Sequence, residues 1–343
     1  MKIIIRIRRW IGRGTTWRVA MSETYTSKIT LYQATLFALL MTLASCGGSS
    51  GGGAAPPPPP PNAAVLPITA ANAQDITESV LGAVTASNDL IDIVDVIGLP
   101  VIGSANPGMT KPAFGDIISQ VTACDTGETT TTWDDADNNL QLSTGDSFHT
   151  DFDMCFLQDS GVTIDGVSTV ENVVVTGDPA NQVVPWGLVA TFGFVDLTAT
   201  DAIDTVIING DLNFEMSSDD NVVINASVGS ASLTVVANGS TEELSDYLTT
   251  HVIDVNALTQ TINASGTFTS DVLAGSVTFA ALEDFVVMGD DNPSSGQLLI
   301  SDSGSSVLVT VLDNINVQLD IDLNLDGTID ETIVVTWTDL DIG

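Results

Sequence analysis

Residues 121–343 predict a mainly β fold: an antiparallel meander in the form of a large curved sheet, an open barrel or a sandwich, with one N-terminal amphipathic helix packed on it. Three observations carry this expectation. Apolar residues recur with a period of two at Leu212, Phe214 and Met216, at Val222, Ile224, Ala226 and Val228, at Val277 and Phe279, and at Val307, Val309 and Val311. That alternation gives a strand one buried and one wet face. Turn-forming pairs occur among these runs, at Asn209-Gly210, Asp219-Asp220, Asn238-Gly239 and Ser303-Gly304, which favours hairpins. Helical patterns do not alternate with the strands, so a doubly wound α/β fold is disfavoured.

The helical pattern lies upstream, in a segment of helix and connector over 63–120. From Thr69 to about Val96, the residues Ile76, Val80, Val84, Ile91 and Val94 recur at steps of three and four or their multiples. Asp75 with Glu78 offers a capping box, and Gly98 with Pro100 a stop. The polar face is acidic and would be repelled by anionic lipid, so the apolar face is expected against the sheet and not on a membrane.

Residues 1–45 read as a leader. Ala34 to Ser45 form an apolar run of twelve residues, too short to span a bilayer but suited to the core of a secretory signal. Met21 gives a start that makes this leader one of ordinary length. Leu43-Ala44-Ser45-Cys46 resembles the lipobox of bacterial lipoproteins. The resemblance implies that Cys46 is lipidated and anchors the chain to a membrane. The glycines Gly47 and Gly48 stand where an inner-membrane-retaining aspartate often does, so it implies the outer membrane of a Gram-negative bacterium, on its periplasmic or its exterior side. Residues 46–62, with Gly47–Gly53 and Pro56–Pro61, then form a flexible and extended tether.

Charge narrows the partners. Seven of the eight basic residues precede Cys46, whereas of the 44 acids only Glu23 does, leaving 43 acids against Lys111. Nucleic-acid binding needs cations to displace phosphate counterions, so it is excluded as a function. Hydrophobic residues make up 44% of the chain, enough for a folded core despite the charge. Cys124 and Cys155 are expected to form a disulfide in an oxidising compartment.

Two acidic stretches offer metal ligands. Asp135, Asp137, Asn139, Gln141, Ser143 and Asp146 occupy places 1, 3, 5, 7, 9 and 12 of a calcium loop, a spacing that lets oxygens wrap a hard cation. Leu140 stands where such loops carry glycine, and Asp146 replaces the longer glutamate. The same stretch also reads as the wet tip of a hairpin: with Cys124 opposite Cys155, Trp133 falls opposite Asp146. The second set is Asp322, Asn324, Asp326 and Asp330. Here Leu319, Ile321 and Leu323 are expected to face inward, with Asp320, Asp322 and Asn324 outward. A turn at Leu325-Asp326-Gly327 sets Leu319 against Ile333, Val317 against Val335, and Asp322 against Asp330. Opposed like charges destabilise a sheet, and a cation would relieve them. Calcium is the cofactor expected at both.

Residues 296–338 and the segment TWDDADNNLQLSTGDSF are similar to parts of β-rich envelope lipoproteins of Gram-negative bacteria, a group that supports the architecture and implies no activity. Catalytic motifs are absent: His149 and His251 are the two histidines, and neither belongs to a zinc, dinucleotide or phosphate-loop signature. The sequence therefore predicts a lipid-anchored, noncatalytic envelope protein with a calcium-stabilised binding or structural β domain, whose partner is a protein or an apolar ligand. A periplasmic carrier of an apolar ligand in an open-barrel groove is the alternative, and a hydrolase with paired carboxylates a third reading.

Overall fold

The computed structural model describes residues 66–96, 118–139, 142–158, 161–179, 182–289 and 292–340, with 86–96 and 118–123 as backbone only. The leader, Cys46, the tether, Gly98, Pro100, Lys111, Leu140 and Gln141 lie outside the described residues. Among the described residues one helix, α1 (Ala73–Val96), precedes fourteen strands. These are β1 (Ile118–Ala123), β2 (Thr126–Asp134), β3 (Ser147–Leu157), β4 (Val162–Asp178), β5 (Val183–Thr200), β6 (Thr205–Ser218) and β7 (Val223–Ala237). They continue as β8 (Ser240–Asp254), β9 (Thr259–Ser270), β10 (Gly275–Met288), β11 (Ser295–Ser301), β12 (Ser306–Val311), β13 (Asn316–Asp322) and β14 (Glu331–Thr336).

All fourteen strands form a single antiparallel sheet in sequence order, with β1 and β14 as its edges. The architecture is thus the open sheet and not the two-layered sandwich. The period of two sorts the strands as expected: Leu212, Phe214, Met216, Val277, Phe279, Val307, Val309 and Val311 are buried. The register carries this inner face from strand to strand. Leu188, Met216, Ala226, His251, Ile262 and Phe285 form one buried row across β5 to β10. A helix of 24 residues is about 36 Å long and about 10 Å wide. Fourteen strands laid flat would span about 65 Å, so the sheet must curl over its own inner face to bury it.

The helix begins at Ala73, later than its pattern suggested. Asn72 fixes the entry, its side-chain oxygen accepting the Thr69 N–H at 2.7 Å and its backbone carbonyl accepting the Ile76 N–H at 3.0 Å. Asp75 is consequently inside the first turn, where its charge meets the helix's positive end. Polar bonds run from this region to the sheet. The Ile68 N–H donates to Ser305 Oγ at 2.7 Å, Gln74 Nε2 to the Asp339 carbonyl at 2.9 Å, and the Tyr247 hydroxyl to the Ala83 carbonyl at 3.1 Å. Ile76, Val80 and Val84 are buried in the same apolar cluster as the sheet's inner face.

Three of the four turn pairs lie between strands, and Asn238-Gly239 is a two-residue hairpin with both residues left-handed (φ 52° and 85°), as the right-handed twist of the strands favours. Asn209-Gly210 does not: it sits inside β6. Gly210 has φ 119°, and a Cβ there would run into the Ser232 carbonyl of β7. Its glycine serves close strand approach, and the chain continues straight through.

Gly210 belongs to a seam of bulges crossing the sheet. On β3, β5, β7 and β8 the buried positions skip by three instead of two, from Phe152 to Cys155, Phe194 to Leu197, Ser230 to Leu233 and Leu244 to Tyr247. The ladders shift at the same places. Met154, Asp196 and Asp246 take left-handed backbone there, and Gly127, Gly166, Gly229 and Gly266 lie on neighbouring strands where a Cβ would press on the bulged chain. Side chains cap the displaced amides: the Met154 N–H donates to Asp165 Oδ1 at 3.2 Å and the Asp196 N–H to Asn209 Oδ1 at 2.7 Å. Bulges bend strands and increase their twist, which supplies the curl the core requires.

Replacing Gly166 by alanine should be costly, since φ is 101° and the new methyl would collide with the Asp196 carbonyl. We expect a loss of about 2–4 kcal/mol in urea unfolding. Gly82→Ala, in the helix with nothing within 4 Å, should instead gain about 0.5–1 kcal/mol. Equal effects at the two sites would refute the role of the seam.

Candidate functional site

The hairpin joining β2 and β3 gathers three carboxylates. Its base is set by Trp133 and Phe148, which pair across the strands and stack at 5.6 Å. This corrects the register expected from the cysteines, which placed Asp146 opposite Trp133. Cys124 lies before β2, outside its ladder with β3, and an extra residue on β3 shifts the pairing above it. The disulfide between Cys124 and Cys155 is present, with Cα atoms 5.3 Å apart. It closes a loop with a sequence separation of 31, which contributes about 3–4 kcal/mol through the unfolded chain's lost entropy.

Above the stacked rings, Asp135 and Asp146 are 2% and 1% exposed, while Asp137 is exposed. Ligand oxygens of all three lie within 4.8 Å of one another. Asp146 Oδ1 accepts the Ala136 N–H at 2.9 Å and the Ser143 hydroxyl at 3.2 Å, and its Oδ2 accepts the Ser143 N–H at 2.9 Å. Asp135 Oδ1 and Asp137 Oδ1 share the Asn139 N–H at 3.1 and 3.2 Å, and Asn139 Nδ2 donates to Asp137 Oδ2 at 2.9 Å. The loop is clamped to β4, where the Gly145 N–H donates to the Val173 carbonyl at 2.9 Å, and the Thr144 hydroxyl accepts the Val175 N–H at 2.9 Å and donates to the Val175 carbonyl at 3.1 Å. Asn138 takes the left-handed conformation (φ 57°), so the sharp bend falls two residues before the place where calcium loops carry glycine. Of the residues read as ligands, the structure gathers Asp135, Asp137, Asn139, Ser143 and Asp146 here.

The second acidic stretch is arranged differently. Val317 pairs with Val335 and Leu319 with Ile333, as the pattern requires. Beyond Ile321 the alternation breaks: Asp322 is buried and Leu323 exposed, the reverse of the sequence expectation. The cause is the Asp322 carboxylate turning back to accept the Asn324 N–H at 3.1 Å and the Gly327 N–H at 2.9 Å. Burial pushes its pKa upward but is outweighed by the N–H groups of Asn324, Gly327, Leu325 and Asp326, which hold it below the usual carboxylate range. Asp330 Oδ2 accepts the Leu323 N–H, Asn324 Oδ1 the Asp326 N–H, and Asp326 Oδ1 the Thr328 N–H. Here the carboxylates organise a turn with two left-handed residues, Leu325 and Gly327. Among the described residues, the only gathering of three or more candidate metal-binding side chains is that of Asp135, Asp137 and Asp146.

The histidines are five strands apart. His149 is exposed on β3, whereas His251 is 1% exposed on β8, so they form no common constellation. Burial lowers the His251 pKa to about 4 and raises that of Glu242, on the same strand, to about 7, with the Asp271 charge adding to the rise. The sequence places His251 in no catalytic signature and does not single out Glu242. Glu242 shares the phase of Leu244, whereas the inward position of His251 is legible only once the bulge between Leu244 and Tyr247 is included.

Comparison of the chain with protein-family models, with curated proteins and with solved structures yields no match.

The two groups on β8, His251 buried and Glu242 half-buried, act on stability in opposite pH windows. Glu242 binds its proton more tightly folded than unfolded, so its contribution is complete below pH 4.5 and lost as pH rises through about 7. His251 binds its proton less tightly folded, so its contribution is complete above pH 6.5 and lost as pH falls toward about 4. Glu242→Gln should therefore be more stable than the parent at pH 8, by about 2 kcal/mol, and equal to it near pH 4. Denaturant unfolding at the two pH values measures the difference.

Proposed function

We propose that this chain is a noncatalytic, lipid-anchored protein of the outer membrane whose acidic β domain serves as a binding or structural module, steadied by calcium at the β2–β3 hairpin. The observation that carries the cation is the convergence of Asp135, Asp137 and Asp146 in a described region that contains no lysine or arginine. Like charges at such separations repel strongly when partly removed from water. A hard divalent ion accepting six to eight oxygens offsets that repulsion, and Asn139 and Ser143 supply further oxygens beside the carboxylates. The anchor rests on Leu43-Ala44-Ser45-Cys46, and the tether after it gives the domain reach from the lipid surface. The second acidic stretch, Asp322 to Asp330, is a weaker candidate for the same ion because its oxygens already accept backbone N–H groups.

A carrier of an apolar ligand is the second reading. It is favoured by the largely apolar inner face, over which α1 serves as a cover tied down at Ala83 by Tyr247.

Thermal unfolding in calcium, in EDTA and in sodium of matched ionic strength tests the first reading. Calcium at about a hundred times its dissociation constant should raise the melting temperature by about 5–10 °C. Asp135→Asn/Asp137→Asn should abolish the rise and Asp322→Asn/Asp326→Asn should leave it. Equal melting in calcium and sodium would remove the ion from the hairpin. Separately, Cys46→Ser should abolish metabolic labelling by a radioactive fatty acid and release the chain from the membrane fraction.

A further inference from the structure

We propose that the end of the sheet remote from the tether docks a cationic amphipathic helix of another protein, on an apolar strip formed by three neighbouring hairpin tips. The inference deepens the reading of the domain as a binding module and rests on it. The tips join β8 to β9, β10 to β11 and β12 to β13, so all three lie at one end of the meander. In or beside these turns stand Val255, Leu258, Met288, Leu312 and Ile315, which are 45%, 69%, 57%, 48% and 59% exposed. Hydrogen bonds hold the tips side by side: the Gly289 N–H donates to the Leu258 carbonyl at 2.8 Å and Asn292 Nδ2 to the Asn314 carbonyl at 3.4 Å. Single exposed apolar residues are ordinary. Five on adjoining turns form a continuous strip, and such strips mark docking surfaces.

Charge selects the occupant. Asp254 and Asp313 sit at the turns of the strip, and Asp219 and Asp220 lie on the adjacent β6–β7 tip, whose Val222 carbonyl accepts the Val255 N–H at 2.9 Å. The described residues contain no lysine or arginine to balance these acids. An apolar centre with acidic flanks complements an apolar stripe with lysines or arginines beside it. A second copy would instead bring the same acids face to face. Position disfavours lipid. The chain joins the sheet at the starts of β10 and β12, where the Leu66 N–H donates to the Ser276 carbonyl and the Ile68 N–H to Ser305 Oγ. Along β10 from Ser276 to Met288 is about 40 Å at 3.3 Å per residue, so the strip points away from the arriving tether. Spacing selects a helix. Successive tips are two strand spacings, about 10 Å, apart, and two turns of helix rise about 10.5 Å. Apolar residues at every seventh position of one helix face therefore meet successive tips. In an extended strand, the third residue at that distance points to the opposite side.

The test uses the purified full chain with Cys46→Ser throughout, so that no lipid anchor contributes. The probe is an amphipathic leucine and lysine peptide of about twenty residues, which as a helix of about 30 Å crosses all three tips. A lysine and serine peptide of equal charge is the control. Fluorescence anisotropy should show saturable binding of the first peptide, weakened about tenfold or more in Leu258→Ser/Met288→Ser/Ile315→Ser and retained in Ile203→Ser on the β5–β6 tip at the opposite end. The control peptide should bind about tenfold or more weakly. Methyl NMR of Met288 in the unsubstituted strip, shifting with the first peptide and not with the control, keeps the test valid should the triple variant fail to fold. Equal binding by the triple variant, with Met288 unmoved, would overturn the strip while leaving a binding module. Binding of neither peptide would overturn both. Self-association in sedimentation, or flotation with phosphatidylcholine vesicles, that is lost in the triple variant would assign the strip to a second copy or to lipid and overturn the proposal.

Discussion

The inner face of this sheet can be dry only if the sheet is bent, and the bulge seam is what bends it. Among the described residues a single helix accompanies fourteen strands, so curvature of the sheet itself contributes to burying the row from Leu188 to Phe285. Each bulge on β3, β5, β7 and β8 adds a residue that turns the strand and resets which side chains face inward. The added residues need special neighbours. Gly166 and Gly210 occur where a methyl would strike the carbonyl of the next strand, and Asp165 and Asn209 supply acceptors for the displaced N–H groups. Core, curvature and polar outer face are therefore one problem solved at one line across the sheet.

The acids divide into two structural roles. Five cap turns: Asp201, Asp220, Asp254, Asp302 and Asp313 each accept N–H groups two and three residues ahead, holding the hairpins between strands. For Asp220 these bonds, and for Asp313 the Asn316 side-chain amide together with them, keep the carboxyl below its ordinary range, so the turns favour the charged form that the surface displays. The β2–β3 hairpin differs because Asp135 and Asp146 are buried together with Asp137 beside them. One acid per turn is satisfied by its own backbone. Three converging acids concentrate negative charge that backbone N–H groups offset only in part.

Much of the fold was legible in the sequence because a period of two is a local property. The meander, the turns after β6, β7 and β11 and the pairing of Val317 with Val335 all follow from it. What failed were the places where the period breaks. Asn-Gly is a strong hairpin signal, and nothing local distinguishes Asn238-Gly239, which turns, from Asn209-Gly210, which does not. The difference lies in Ser232, more than twenty residues away, whose carbonyl presses on Gly210. The hairpin register failed for the same reason, since the extra residue on β3 is invisible until both neighbours are paired. At Asp322 the alternation breaks on the last residue of β13, where a carboxylate gains more from two backbone N–H groups than from solvent.

The candidate sites show the same division between local and nonlocal information. Acid spacing alone located the β2–β3 hairpin, but equal spacing at Asp322 to Asp330 produced a turn and no convergence. Burial separates them: Trp133 stacked on Phe148 and the clamp from Thr144 to Val175 fold the first hairpin over its own acids. His251 is the converse case, a residue without a motif whose meaning comes wholly from position. Its strand carries the bulge at Asp246, which puts Tyr247, Thr249 and His251 on the inner side; an unbulged β8 continuing from Leu244 would present Asp246, Leu248 and Thr250 there. The seam that curves the sheet thus also decides that Tyr247 and His251, and not Asp246 and Thr250, face the dry interior.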